Sequence, residues 1–222
     1  MTDRFADIRL LMFDLDGTLV DSAQGIIDSI NAVLVEHDLA PAPHHEAASM
    51  IGLSLTDFWR RFAPQHQGHW HAFTDRYRTI YHDTAIPNSQ LFPSVADTIK
   101  ELHAVGYTLT IASSKITPVS SIVLRHVGLL EYFSLLMGDD RVENPKPHPE
   151  MVQRTLAECG FMSAQALMIG DSKYDIAMGQ AAHVRTVAVT AGTHDAATLI
   201  ATQPTIVIKQ LSELLDYVPM LR

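Results

Sequence analysis

The residues from Leu10 to Phe13 are all apolar, with none of the alternation that marks a strand with one wet face. A strand covered on both sides carries an unbroken run of this kind. Past residue 92, similar strand-length runs recur at 107–113, 132–137, 166–170, 186–190 and 205–208. Helical periods lie between most of them. Val95, Ile99 and Leu102 return at helical spacing, and Gly106 is placed to stop that helix. Thr117 is expected as the N-cap of a second helix, with Pro118 at its first position and Gly128 at its end. Pro149 and Gly160 bracket a third in the same way. This alternation predicts an α/β fold, a doubly wound and mostly parallel sheet.

Residues 20–89 break the rhythm. Ile26, Ile30, Val33 and Leu34 mark one helical face, Leu55, Phe58, Trp59 and Phe62 a second, and Trp70, Phe73, Tyr77, Ile80 and Tyr81 a third. No convincing strand separates them. The pattern predicts a core domain from residues 1–19 and 90–222, with a helical cap domain inserted at 20–89. Residues 88–95, preceded by Pro87, read as the return hinge. Ligands of open α/β sheets bind beyond the carboxyl ends of the strands. An insert leaving from that end would cover the site as a lid.

Composition narrows the partners. A chain of 222 residues, 47% hydrophobic and 18% charged, describes a soluble globule of one domain or a core with an insert. No apolar stretch approaches the ~20 residues of a membrane helix, and the first nine residues lack the apolar centre of a signal peptide. The single cysteine, Cys159, excludes an internal disulfide and fits a reducing compartment, so a cytoplasmic location is expected. A net charge of −9 argues against nucleic acid and against anionic membrane as partners. It leaves open a small anionic ligand, which responds to its own pocket.

Candidate chemistry gathers where the apolar runs end. "DLDGT" follows the first run, and residues i and i+2 of an extended chain share a side, so Asp14 and Asp16 can face one pocket. Asp and Gly also build ordinary solvated turns, and the pair alone leaves both readings open. "MIGDSKYD" ends another run with Asp171 and adds Asp175, though Ser172 could simply cap the next helix. Oxygen ligands of this sort suit Mg²⁺, which takes one or two carboxylates with waters and a substrate phosphate. "NPKPHPE" mounts Lys146 among three prolines that stiffen its backbone. In "TIASSK", Ser113 and Ser114 follow a strand where a hydroxyl and backbone amides could hold phosphate oxygens. Twelve histidines are present, but "HWH" around Trp70 enters a helix, where i and i+2 diverge. Solvated or partly buried histidines are expected there, not a zinc site.

Taken in order, these residues resemble the haloacid dehalogenase-like hydrolase superfamily over nearly the whole chain. "DLDGT" is similar to its first motif, Ser113 to its second, Lys146 in "KPHP" to its third and "GDSKYD" to its fourth. The helical insert and "IGLSL" at residues 51–55 resemble the small cap of the phosphoglycolate-phosphatase-like branch. The resemblance implies a Rossmann-like core and a Mg²⁺-dependent phosphatase acting on a small phosphorylated metabolite. It implies Asp14 as nucleophile forming an aspartyl phosphate, and Asp16 as general acid and base. Ser113 would bind the phosphoryl group and Lys146 would balance its charge. Asp14, Asp171 and the main-chain carbonyl of Asp16 would hold the metal, with Asp175 supporting Lys146 or the metal's waters. Asp16 favours phosphoryl chemistry, because dehalogenases of the superfamily lack it. Two departures bear on substrate: Ser114 stands where several phosphoglycolate phosphatases have asparagine, and His183 where many relatives have glycine.

Charge supports a metal separately. Asp14, Asp16, Asp171 and Asp175 face only Lys146, and a phosphomonoester adds a charge of about −2. Like charges ~4 Å apart repel by about 4 kcal/mol at an effective dielectric near 20. A cation is therefore expected, and the crowding is expected to keep Asp16 protonated. Ser54, Arg60, Arg61, Arg76, Arg78 and Lys115 are the candidates for selecting the leaving group. A phosphomutase, a pyrophosphatase and a non-catalytic phospho-acceptor module are the alternatives.

Overall fold

The computed structural model describes residues 5–219. Six strands form one sheet: β1 (Leu10–Phe13), β4 (Thr108–Ala112), β5 (Leu135–Met137), β6 (Ala166–Gly170), β7 (Arg185–Val189) and β8 (Ile206–Ile208). Their spatial order is β5-β4-β1-β6-β7-β8, and every pairing is parallel. The sheet of the α/β class expected from the alternation is present. Side chains of a strand alternate between faces, and β1 divides accordingly. Leu11 and Phe13 join one apolar cluster with Leu109, Ile111, Leu167 and Ile169. Leu10 and Met12 join another on the opposite face with Met151, Val152, Met168 and Met178. That two-sided burial is why the first run shows no polar alternation.

Helices cover both faces. α5 (Val95–Ala104) and α6 (Thr117–His126) bury Ile99, Leu102, Val123 and Leu124 in the first cluster. α7 (Glu150–Cys159) and α8 (Lys173–Ala181) contribute to the second, and the short α9 (Ala196–Ala201) follows β7. One cap differs from expectation. Ile116, not Thr117, is the N-cap residue of α6, and Thr117 is its first helical residue. Asp140 Oδ1 accepts from the Thr117 amide at 2.7 Å, so a carboxylate from a neighbouring turn does the capping. The strand expected from residue 132 begins only at Leu135, because residues 130–132 form a 3₁₀ turn.

Between β1 and α5 the chain is helical: α1 (Ala23–Glu36), α2 (His44–Ser49), α3 (Leu55–Phe62) and α4 (Trp70–Ile80), with a π turn at Tyr81–Ala85. The three apolar faces read from the sequence lie on α1, α3 and α4, with Ile30, Val33, Phe58, Trp59 and Phe73 buried. Two strands were not anticipated. β2 (Val20–Asp21) pairs antiparallel with β3 (Gln90–Leu91), tying the two ends of the helical segment together where the hinge was expected. Among the described residues no helix is long and apolar enough to cross a membrane.

Candidate active site

The register of the sheet brings the strand ends together. Phe13 pairs with Ile111 of β4 on one side and Ile169 of β6 on the other. Asp14, Ser113 and Asp171 therefore leave three adjacent strands at the same edge. The Asp14 amide extends the ladder by donating to Ile169 O at 2.9 Å. Gly17 then turns the chain with φ of 90°, in the region that favours glycine. A Cβ there would stand 2.2 Å from Asp171 Oδ2, so the close approach requires the missing side chain.

Lys146 reaches this edge from the loop between β5 and α7. Its Nζ lies 2.7 Å from Asp14 Oδ1 and 2.6 Å from Asp175 Oδ1, fully buried. Burial, the largest single influence, favours the neutral amine, but Asp14 and Asp175 together raise its pKa and hold it charged. Asp175 also closes a capping box on α8: its Oδ2 accepts from the Ser172 amide at 3.0 Å and the Ser172 hydroxyl at 2.6 Å. Asp171 is held by residues that the motif reading left without roles. Thr18 Oγ1 donates to its Oδ1 at 2.8 Å, and the amide and hydroxyl of Thr193 donate to Oδ2 at 2.7 Å each. Thr193 lies in an irregular loop past β7, where periodicity gives no signal.

The carboxylates of Asp14, Asp171 and Asp175 each offer an oxygen within 4.8 Å of the other two. Burial, first, and the neighbouring carboxylates raise the pKa of Asp14, against the opposing pull of Lys146. Burial and Asp175 likewise lift Asp171 to about 6, against its bonds to Thr193 and Thr18. Three buried acids facing one lysine form a donor set that fits a hard divalent cation. Asp171 accepts three hydrogen bonds, which leaves a carboxylate capacity for a metal. Among the described residues no histidine joins such a group of three.

The carboxylate of Asp16 has different company from that expected. Ser22 Oγ donates to its Oδ1 at 2.6 Å, and Lys115 Nζ lies 3.0 Å from its Oδ2. The partner pressing on Asp14 is thus the Asp171–Asp175 pair, while Asp16 is matched by a second buried cation. Lys115 also stands over the ring of Tyr81 at 4.0 Å, and Tyr81 stacks on Tyr77. Aromatic faces favour a cation in such a position. Burial leads the influences on Lys115 by favouring the neutral amine; Asp16 and the two tyrosines outweigh it and raise its pKa.

A cavity of about 300 Å³ lies between this strand edge and the helical segment. Asp14, Asp16, Ser113 and Ser114 border it from the sheet, and Ile51, Leu55, Phe58 and Tyr77 from the helices. Ser113 Oγ accepts from the Lys115 amide at 3.2 Å. Ser114 Oγ donates to Gly52 O at 2.5 Å, so its hydroxyl holds the helical segment. Of the proposed leaving-group selectors, Ser54, Arg78 and Lys115 border the cavity. Ser54 caps α3, accepting from the Asp57 amide at 3.3 Å. Arg60 pairs with Asp57, Arg61 with Glu46 and Arg76 with Glu36, all on the outer surface.

Sheet and site together define a doubly wound α/β core with buried acidic groups at the strand ends. The family model for haloacid dehalogenase-like hydrolases matches residues 11–189, and the chain belongs to that family. Its relatives include "Probable phosphatase IndB" of Dickeya dadantii, 31% identical over 92% of this chain and 90% of that protein. A phosphoglycolate phosphatase of Photorhabdus laumondii is 33% identical over 94% of this chain and 92% of its own length. A solved haloacid dehalogenase-like hydrolase from Streptococcus pneumoniae superposes with a TM-score of 0.84 at 26% identity, covering 95% of this chain and 98% of that one. The chain is an enzyme, a phosphatase of the phosphoglycolate-phosphatase-like branch.

Proposed function

We propose that the chain hydrolyses a small phosphomonoester through an aspartyl phosphate on Asp14, with Mg²⁺ as cofactor. The observation that carries this reading is the convergence of Asp14, Asp171 and Asp175, with buried Lys146 bridging Asp14 and Asp175 and Asp14 bordering the cavity. Asp14 attacks phosphorus with the carboxylate oxygen that Lys146 does not hold, and the bond to the leaving oxygen breaks. Asp16, at the same edge, delivers the proton to that oxygen, then takes one from the water that cleaves the acyl phosphate. Ser113 and the Ser114 amide bind the phosphoryl oxygens, and Lys146 offsets their charge. Asp14, Asp171 and the Asp16 carbonyl would hold Mg²⁺, which supplies positive charge against the crowded oxygens. Asp175 keeps Lys146 in place. The helical segment of residues 20–89 acts as a cap that closes over the bound ester and excludes water. The free thiol of Cys159 fits a reducing cytoplasm.

Phosphate release from a panel of phosphomonoesters, with Mg²⁺ or with a chelator, tests the reading. Turnover is expected with Mg²⁺, loss with the chelator, and loss in Asp14→Asn with the fold retained. Full activity in Asp14→Asn contradicts the role of Asp14. A requirement for a bisphosphate activator, with no free phosphate released, points to a phosphomutase instead.

A further inference from the structure

Past β7 the chain runs along the Asp171 edge of the site before it reaches α9. A Cβ on Gly192 would stand 2.3 Å from both Asp171 Oδ2 and Gly17 O, so this loop lies directly against that edge. Thr193 holds Asp171 there with its amide and its hydroxyl. The next residue, His194, is buried and reaches the helical segment.

Both nitrogens of the His194 ring are used. Nδ1 accepts from the Lys173 amide at 3.1 Å, and Nε2 lies 3.1 Å from Ser49 O. The acceptor role of Nδ1 leaves the proton on Nε2, which donates to Ser49. Both partners stand at helix ends that the helix itself cannot satisfy: Lys173 is the first residue of α8 and Ser49 the last of α2. Burial, chiefly, lowers the imidazole pKa and so favours the neutral ring that this arrangement needs. Tyr174 adds a second, longer bond to the same carbonyl at 3.3 Å. The segment held in this way leads into a wall of the cavity, which Ile51, Gly52, Leu53 and Ser54 all border.

Two consecutive residues therefore join the two parts of the site. Thr193 fixes a carboxylate of the acidic cluster, and His194 fixes the segment that faces the cavity. Coupling between two sites is reciprocal, so a ligand that favours one arrangement at either end favours it at the other.

We infer that His194 is a positioning residue that clasps residues 49–52 to the loop holding Asp171, so that a cation bound at the acidic cluster draws the cap segment onto the cavity. This rests on the phosphatase reading above and adds to it the residue that links its metal to its cap.

The test uses the whole chain with Mg²⁺ alone, so that no ester bridges the two parts. Amide exchange across residues 49–54 is expected to slow at least threefold on adding Mg²⁺ to the wild type, and not in His194→Ala. Two further variants separate the ring nitrogens. The amide nitrogen of glutamine can stand near the place of Nε2, and the amide oxygen of asparagine near that of Nδ1. His194→Gln keeps the donor to Ser49 and is expected to retain the Mg²⁺ effect. His194→Asn keeps only the acceptor for Lys173 and is expected to lose it; it carries the test should the alanine variant not fold. In turnover of a phosphomonoester, KM is expected to rise at least tenfold in the alanine and asparagine variants with kcat within threefold of the wild type, and to recover in His194→Gln. Equal protection by Mg²⁺ in all four proteins, or none in a wild type whose melting temperature Mg²⁺ does raise, overturns the assignment. So do equal losses in the glutamine and asparagine variants, which is what a merely structural contact would give. No effect of Mg²⁺ on the melting temperature of the wild type refutes the metal reading itself and this assignment with it.

Discussion

His183 sits in the left-handed region with φ of 59°, just past the end of α8. Its amide donates to Gln180 O at 3.0 Å, and the Val184 amide to Gly179 O at 3.0 Å. Those two bonds are the pairs of a Schellman motif, with His183 at the position that glycine prefers. α5 and α6 end the same way on Gly106 and Gly128, so this chain uses both solutions. A side chain in that region costs about 1–2 kcal/mol, while glycine gains entropy in the unfolded chain. His183→Gly is expected to stabilise the protein by about 0.5–1 kcal/mol, read as a raised midpoint in urea with an unchanged slope. Equal or lower stability would mean that the imidazole makes compensating contacts. The same scale shows what sequence can reveal. Asp14, Lys146 and Asp171 are legible because a charged residue at the end of an apolar run is conspicuous. Thr18, Ser22 and Thr193, which aim the carboxylates, are common polar residues whose partners lie far along the chain or in a turn. The ion pair of Asp16 with Lys115 was hidden for the same reason, since no spacing rule joins residues that meet only across strand ends.

At the scale of elements, the segment joining α2 to α3 is where the helical insert meets the core. Ser49 O takes a hydrogen bond from Tyr174 OH at 3.3 Å and lies 3.1 Å from His194 Nε2. The Lys173 amide donates to His194 Nδ1, which leaves Nε2 as the donor to Ser49. Gly52 O takes the hydroxyl of Ser114. Core residues from three separate places thus grip residues 49–52, beside the cavity. Gly52 has φ of 100°, and a Cβ on it would stand 2.9 Å from Ser172 Oγ and 3.3 Å from the Tyr174 ring. Gly52→Ala is therefore expected to hold the segment away from the core. KM should rise at least tenfold, amide exchange across residues 49–54 should quicken, and the urea midpoint should move little. An unchanged KM with unchanged exchange would show that closure does not pass through this contact. Helices α1, α3 and α4 were readable from apolar spacing, since each buries one stripe. α2 and the β2–β3 pair were not, because six residues and two residues give too little pattern to detect. The cap of α6 was misplaced because its acceptor is Asp140, on another element.

For the whole molecule, the buried carboxylates couple stability to pH and to metal. Asp14 and Asp171 both titrate above the ordinary carboxylate value, Asp171 near 6, chiefly through burial. A folded pKa raised in this way means that the folded chain binds more protons than the unfolded one between about pH 4 and 6. Stability in the absence of metal should accordingly fall as pH rises through that window. Lys146 carries the same sign in a different window: its raised pKa contributes stability that is complete at neutral pH and lost only as pH rises into strong alkali. The acidic cluster is thus the part of the site left strained at pH 7, and a divalent cation competes with protons for the same oxygens. With Mg²⁺ at 100 times its dissociation constant the stabilisation is about 2.7 kcal/mol, worth roughly 5–10 °C for a chain of this size. Thermal unfolding followed by circular dichroism, with chelator or with Mg²⁺, should show that gain at pH 7 and a much smaller one at pH 5. Asp171→Asn removes one of the competing carboxylates and should abolish most of the difference between the two pH values. A Mg²⁺ shift that is the same at both, or that survives intact in Asp171→Asn, would place the cation somewhere other than the cluster of Asp14, Asp171 and Asp175.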